Sequence, residues 1–235
     1  MAFKKISSPT LKELFMEELE SMILSGELAI GEKLPPEREI AQKMQISRSV
    51  VNHGIVEMAR KGFLTITPRQ GTYVADFKKY GTIDILISIM KNGSVSNDYI
   101  RSTLELRDVF MNMALETAIP NITKETMELL KDTCQRFHHT KHPEEAAAII
   151  FEFDHVLMTA SNNLLLPILF SSFKIPNVML FERYFKLHGI EKMHHRNMQL
   201  LQCIERKDVA GAKDVMAHSI QETIHGKTEI YEEKT

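Results

Sequence analysis

No apolar run comes near the roughly 18 residues that a membrane-spanning helix needs; the longest, Leu164 to Phe170, is the length of a core segment. The opening MAFKKISSPT carries two lysines but no apolar segment behind them, so a secretory leader is not expected either. Cysteine is scarce. Cys134 and Cys203 lie far apart and outside any CxxC pair, which argues against a disulfide framework or zinc knuckle and suits a reducing, cytoplasmic setting. Neither sign of charge is in excess: 29 Lys and Arg stand against 31 Asp and Glu, for a net charge of −2 and a pI near 6.6. That excludes a uniformly basic polyanion binder, so any nucleic-acid site has to come from local patterning. Catalytic signatures are missing as well: there is no Gly-x-Ser-x-Gly, P-loop, HExxH or dinucleotide fingerprint.

Local patterning is what the chain has. Between Lys33 and Thr72, seven Lys and Arg face three acids, Glu37, Glu39 and Glu57, an excess able to neutralise phosphates. Leu11, Leu14, Phe15, Leu19, Met22 and Ile23 recur at helical spacing after Thr10, and Ser25-Gly26 stops that helix. Pro35-Pro36 cannot lie inside a helix but can begin one, so a short second helix is expected from near Pro36, burying Ile40, Ala41 and Met44. Ser47 caps a third helix with Val51, Ile55, Met58 and Ala59 on its apolar side, and Gly62 ends it. The other side of that helix presents Arg48, Ser49, Asn52 and His53. FLTIT and TYVA, joined by Pro68-Arg69-Gln70-Gly71, read as a hairpin. Three helices and a hairpin in this order describe a winged helix-turn-helix, whose third helix enters the major groove while the hairpin reaches the flanking backbone or minor groove.

From Ile83 onward only helical stripes occur, broken at Asn92-Gly93, Pro120-Asn121, His142-Pro143, Asn162-Asn163, Pro176, Gly189 and Lys207-Asp208. The fold class expected is therefore mainly α: a winged helix-turn-helix over 1–76, a linker over 77–81 and an all-α bundle of six or seven helices over 82–230. Within the bundle, Ile100, Leu104, Arg107, Met111 and Ala114 share one helical face, which puts a guanidinium in an apolar stripe where it needs an anion. The same spacing groups Asp154 with Ile150, Leu157 and Ser161, and Asn197 with Met193, Leu200 and Ile204. Two readings stay open: an Arg107–Asp154 ion pair that only organises the core, or an anchor for a carboxylate or phosphate with Asp154 and Asn197 shaping the pocket. His138, His139, His142, His194 and His195 suggest metal, but adjacent histidines on a helix point about 100° apart. Surface or core positions are expected for them, with His194, one turn before Asn197, the best pocket residue. The 14 Met and 12 Phe would suit an acyl chain or an ordinary core equally.

The stretch ILSGELAIGEKLPPEREIAQKMQISRSVV…ARKGFLTITPRQGTYV resembles the DNA-binding domain of GntR-type bacterial transcription regulators from the first helix through the wing. LELRDVFMNMALETA, FDHVLMTASNN and the late helix at Asp208 resemble the helical effector domain of the fatty-acid-regulator (FadR/FCD) subfamily across most of 82–225. The resemblance implies a homodimeric regulator of double-stranded operator DNA, contacted through Arg38, Ser47, Arg48, Ser49, Asn52 and the wing residues Arg69, Gln70 and Gly71. It further implies control by a small anionic effector, an acyl-coenzyme A or an organic acid, at Arg107, Asp154, His194, Asn197 and His218. Asn52 stands where the family usually has arginine and His53 where it usually has glutamate, and asparagine favours adenine through N6 and N7. Metal-binding members use an Asp and a His four residues apart and two later histidines; the matching positions here are Ile150, Asp154, Asn197 and Ser219. That donor set suits neither zinc nor nickel, so no family-type metal and no cofactor are expected, although a slipped register through Asp154 and His218 stays open. Two rival classes are a helical acyl-thioester enzyme and a ligand-free architectural DNA binder.

Overall fold

The computed structural model describes residues 9–91 and 95–231. The reading of residues 1–8 and the expected break at Asn92-Gly93 lie outside them. The chain divides into two compact units, Met1–Ser94 and Val95–Thr235.

In the first unit, α1 (Leu11–Ser25) starts on a reciprocal cap. The Thr10 hydroxyl accepts from the Glu13 amide at 3.2 Å, the Glu13 carboxylate accepts from the Thr10 amide at 2.7 Å, and Gly26 ends the helix at φ 85°. Its buried stripe is Phe15, Met16, Leu19, Glu20 and Ile23, while Leu11 and Leu14, expected inside, are exposed because they precede or flank that stripe. Next, α2 (Glu37–Met44) follows Pro36 and buries Ile40 and Ala41. Met44 is 37% exposed instead of buried, because Gln45 turns left-handed at φ 54° immediately after it. The third helix, α3 (Arg48–Lys61), is capped by Ser47 and closed by Gly62. Gly54 lets α3 cross α1 closely: a Cβ there would lie 2.4 Å from the Phe15 ring. The salt bridge Lys61–Glu20, at 2.8 Å and largely buried, ties the same two helices.

The hairpin pairs β1 (Leu64–Thr67) with β2 (Gly71–Val74) antiparallel, in register Leu64↔Val74. Residues 31–34 run along the far edge of β2, with a Lys33↔Tyr73 bridge and a Leu34 amide donating to the Thr72 carbonyl at 2.9 Å. The stretch expected as a linker, 77–81, contains a one-turn helix, α4 (Phe77–Tyr80), whose Phe77 ring packs 6.1 Å from Phe63. After it, α5 (Ile83–Lys91) packs on α3, and the Thr82 hydroxyl donates to the Lys61 carbonyl at 2.8 Å. These contacts place α5 with the first unit, later in sequence than the boundary expected at 82.

The second unit holds seven helices among the described residues: α6 (Asn97–Asn121), α7 (Lys124–His139), α8 (Pro143–Ala160), α9 (Leu166–Ser172), α10 (Lys174–His188), α11 (Glu191–Glu205) and α12 (Val209–His225). Central α8 is buried nearly all round, from Ala146 to Met158, and packs against α6, α7, α9 and α10. Against expectation, Pro176 does not break the chain. It sits in the first turn of α10, where its missing amide costs no hydrogen bond, and the break falls at Phe173. Likewise α6 carries Pro120 in its last turn and runs on to Asn121.

Candidate functional site

In the first unit a single carboxylate organises the exposed face of α3. Glu37, at the start of α2, accepts from Asn52 Nδ2 at 2.8 Å and from Arg48 Nε at 3.2 Å. These two bonds, the Asn52 one first, hold its carboxyl below the usual range. A lowered carboxyl pKa contributes its stability above the ordinary value and loses it as pH falls through the lowered one, so this clamp is intact near neutrality. Arg48 still has a side chain 74% exposed. Arg38 is exposed with no partner among the described residues, and Ser49 and His53 are exposed beside it. Ser47 is used structurally, its hydroxyl accepting from the Val50 amide at 3.2 Å. Both helix starts therefore send a guanidinium outward.

At the tip of the hairpin Arg69 is left-handed at φ 64°, exposed with Gln70, whose amide closes the turn on the Thr67 carbonyl at 3.1 Å. Gly71 follows at φ 126°, and a Cβ there would meet the Lys33 chain 2.8 Å away. Lys33 thus lies across the wing, with its ammonium 5.9 Å from the Tyr73 ring centre. Sequence reasoning missed Glu37 and Lys33 as members of this surface. The Glu37–Asn52 separation of fifteen positions follows no helical period, and only the turn between α2 and α3 brings them together.

The second unit buries a charged cluster. Asp154 is fully buried and Arg107 is 4% exposed; the Arg107 Nε and Nη2 donate to the same Asp154 oxygen at 3.2 and 2.6 Å. The Arg107 guanidinium also stacks 4.6 Å from the Phe181 ring centre. Asn197 is 1% exposed, and its amide oxygen accepts from Arg196, which is 5% exposed. Burial lowers the Arg196 pKa to about 10, with the Asp154 charge opposing that and the Arg107 charge adding to it. Arg196 therefore stays charged at neutral pH, and the cluster sets two arginines against one aspartate. Arg196 was missed in sequence because nothing in a helical stripe separates an inward arginine from a solvated one.

A small cavity of about 20 Å³ adjoins Arg107, lined also by Phe181, Tyr184, Ser219, Thr223 and Ile230. Of the five residues expected in the pocket, Arg107 lines this cavity; Asp154 and Asn197 are buried in the charged cluster without lining it, and two others lie elsewhere. His218 is exposed, and Ser219, the next position round α12, takes the lining role, so the slipped register through His218 does not occur. His194 faces α7 instead, while Met193, one position earlier, reaches the cavity. The His194 ring meets His138 edge-on at 4.5 Å in a groove of about 490 Å³ shared with Cys134 and Met198. Burial first, then the neighbouring His138 and His195, lowers its pKa.

These two surfaces match known proteins. Residues 11–74 match the model of the bacterial regulatory proteins of the gntR family, and residues 102–222 match the FCD domain. The chain belongs to the GntR family of DNA-binding transcriptional regulators, in the branch with an FCD domain. It is 27% identical over 164 residues to the HTH-type transcriptional regulator Mce2R of Mycobacterium tuberculosis, covering 69% of this chain and 68% of that one. It is 28% identical over 149 residues to the fatty acid metabolism regulator protein of Shewanella pealeana, covering 61% and 59%. The solved structure of Lar, described as controlling expression of the Listeria monocytogenes agr system, shares the fold at a TM-score of 0.64 and 16% identity, over 93% of this chain and 97% of that one.

Membership in a family of transcriptional regulators sets aside the enzyme reading. Burial also pushes the Cys134 thiol up to about 11 and raises that of Cys203, so neither is an activated nucleophile. The metal positions implied by the resemblance do not fit a metal. Ile150 has no donor, Asp154 is bonded to Arg107, the Asn197 oxygen is taken by Arg196, and Ser219 replaces an imidazole. Among the described residues no group of three His, Cys, Asp or Glu is arranged to hold a metal ion, and no helix is long and apolar enough to cross a membrane.

Proposed function

We propose that this regulator is a cytoplasmic homodimer whose hold on operator DNA is set by a small organic anion bound beside Arg107. The observation that carries this is the charge of the bundle interior, two buried guanidiniums against one carboxylate. A surplus buried cation is costly unless an anion joins it. Similarity to the Shewanella fatty acid metabolism regulator favours an acyl thioester as a second reading. The smaller ligand is favoured because the cavity beside Arg107, about 20 Å³, has no room for an acyl chain.

Titrating organic acids and acyl thioesters against the protein–operator complex tests the reading. A carboxylate shifts operator affinity at least tenfold, about 1.4 kcal/mol of coupling, and Arg107→Met abolishes the shift while still binding DNA. A purely architectural bundle would leave DNA binding indifferent to every acid.

On the DNA side, Arg38 and Arg48 grip the duplex at the groove entrance, Ser49 and Asn52 face the bases, and Arg69 and Gln70 reach past them from the wing. Asn52 uses one Nδ2 hydrogen on Glu37, which leaves the other hydrogen and Oδ1 for a paired contact to adenine. Selection from random DNA with wild type and Asn52→Ala should show one A·T preference per half-site disappearing, a change of roughly 1–3 kcal/mol at that position. An unchanged logo would remove Asn52 from base reading.

Two half-sites require two heads, and the bundle has a surface suited to a second copy. Leu164, Leu165, Ile168 and Leu169 are exposed beside Val109 and Met113 of α6, with Asn163 bonded to the Met113 sulfur at 3.8 Å. No charged residue occurs from 156 to 173. An uncharged patch can meet itself across a twofold axis without repulsion. Leu165→Glu with Ile168→Glu should halve the mass seen by light scattering and leave helicity intact; a protein that stays dimeric places the interface elsewhere.

A further inference from the structure

Arg196 is the least expected charge in the molecule. It is 5% exposed, and its only hydrogen-bond partner among the described residues is a neutral one, the Asn197 amide oxygen. Three polar atoms of the cluster, all buried, have no partner: Arg196 Nη1, Asn197 Nδ2 and Asp154 Oδ1. The first two are donors and the third is an acceptor. The same cluster contains positions matched above to metal ligands: Ile150, which has no donor, Asp154, whose Oδ2 accepts from Arg107, and Asn197, whose single oxygen accepts from Arg196.

We propose that Arg196 stands in for a metal ion, as a built-in cation that with Arg107 holds a small oxyanion in the bundle without any metal. This rests on the reading of the bundle as the effector site. Asn197 acts as a positioning residue: its oxygen fixes the guanidinium through Nε and Nη2, and its own Nδ2 adds a second donor beside Nη1. The unpaired atoms also specify the ligand. Its anionic oxygens accept from Arg196 Nη1 and Asn197 Nδ2, and an O–H or N–H on the same small molecule donates to Asp154 Oδ1. An oxyanion with no proton to offer would face that carboxylate oxygen with a lone pair and be rejected.

Inorganic phosphate and sulfate separate these requirements, because they share size and tetrahedral shape but only phosphate keeps an O–H near pH 7. Calorimetry and thermal melting of the full chain in EDTA should show phosphate binding and stabilising wild type, and sulfate doing so at least tenfold more weakly. Arg196→Met should lose phosphate binding at least tenfold. Arg196→Lys, which keeps the charge but has no Nη1, should lose it too, and supplies the answer if the methionine variant does not fold. The proposal is overturned if phosphate fails to bind wild type, if it binds only with added zinc or nickel, if sulfate binds equally, or if both Arg196 variants bind like wild type. If organic acids still control operator binding in those variants and Arg107→Met abolishes it, the effector reading stands and the role of Arg196 falls.

Discussion

Alanine at both Arg38 and Arg48 is expected to weaken operator binding by about a thousandfold or more. Each head presents both guanidiniums outward from neighbouring helix starts, so the dimer proposed above would lose four charged contacts. At roughly 1–1.5 kcal/mol each the sum is about 4–6 kcal/mol. Folding should hardly change: Arg38 has no partner among the described residues, and the Arg48 bond to Glu37 is a surface pair. Fluorescence anisotropy on an operator recovered by selection gives the affinity, and its salt dependence divides the roles. The slope of log K against log salt should fall by about 0.9 for every phosphate contact removed and stay constant for contacts to bases. A loss below tenfold would mean that neither arginine grips DNA.

Asp154→Ala carries the largest expected effect on stability, about 3–5 kcal/mol, because it strands Arg107 and Arg196 together in the bundle. For a chain of this size that corresponds to a melting temperature lower by roughly 10 °C or more. The cause can be isolated, since Arg107→Met with Asp154→Leu removes both halves of the pair and should recover most of the loss. Denaturant unfolding of the three variants checks it. An Asp154→Ala protein within about 1 kcal/mol of wild type would show that the carboxylate is not what neutralises the arginines.

The legible parts of this molecule were those in which neighbours in sequence are neighbours in space. Thr10 with Glu13, Ser47 with Val50, Gly26 and Gly62 are local devices, and each occurs as the residue types predict. The Arg107 stripe was equally readable, as was Asp154 on its own helix, because one amphipathic period suffices to place a polar group inward. Their bond was one of two open readings, since a sequence does not say which inward faces meet. Errors collected where a short or irregular segment decides direction: Met44 ahead of a left-handed residue, Pro176 in a first turn, and His194 and His218 each one position off the face that lines the cavity.

By itself the order of amino acids determined the winged head, the helical bundle that follows it in sequence and the outward arginines, since capping, periodicity and turn chemistry act within a few residues. Tertiary packing alone decided that Glu37 clamps Asn52 and Arg48, that His194 leaves the cavity and that Arg196 enters the charged cluster. Those outcomes depend on how helices rotate about their axes when they pack, where one position is about 100°, enough to move a side chain from a buried site to solvent.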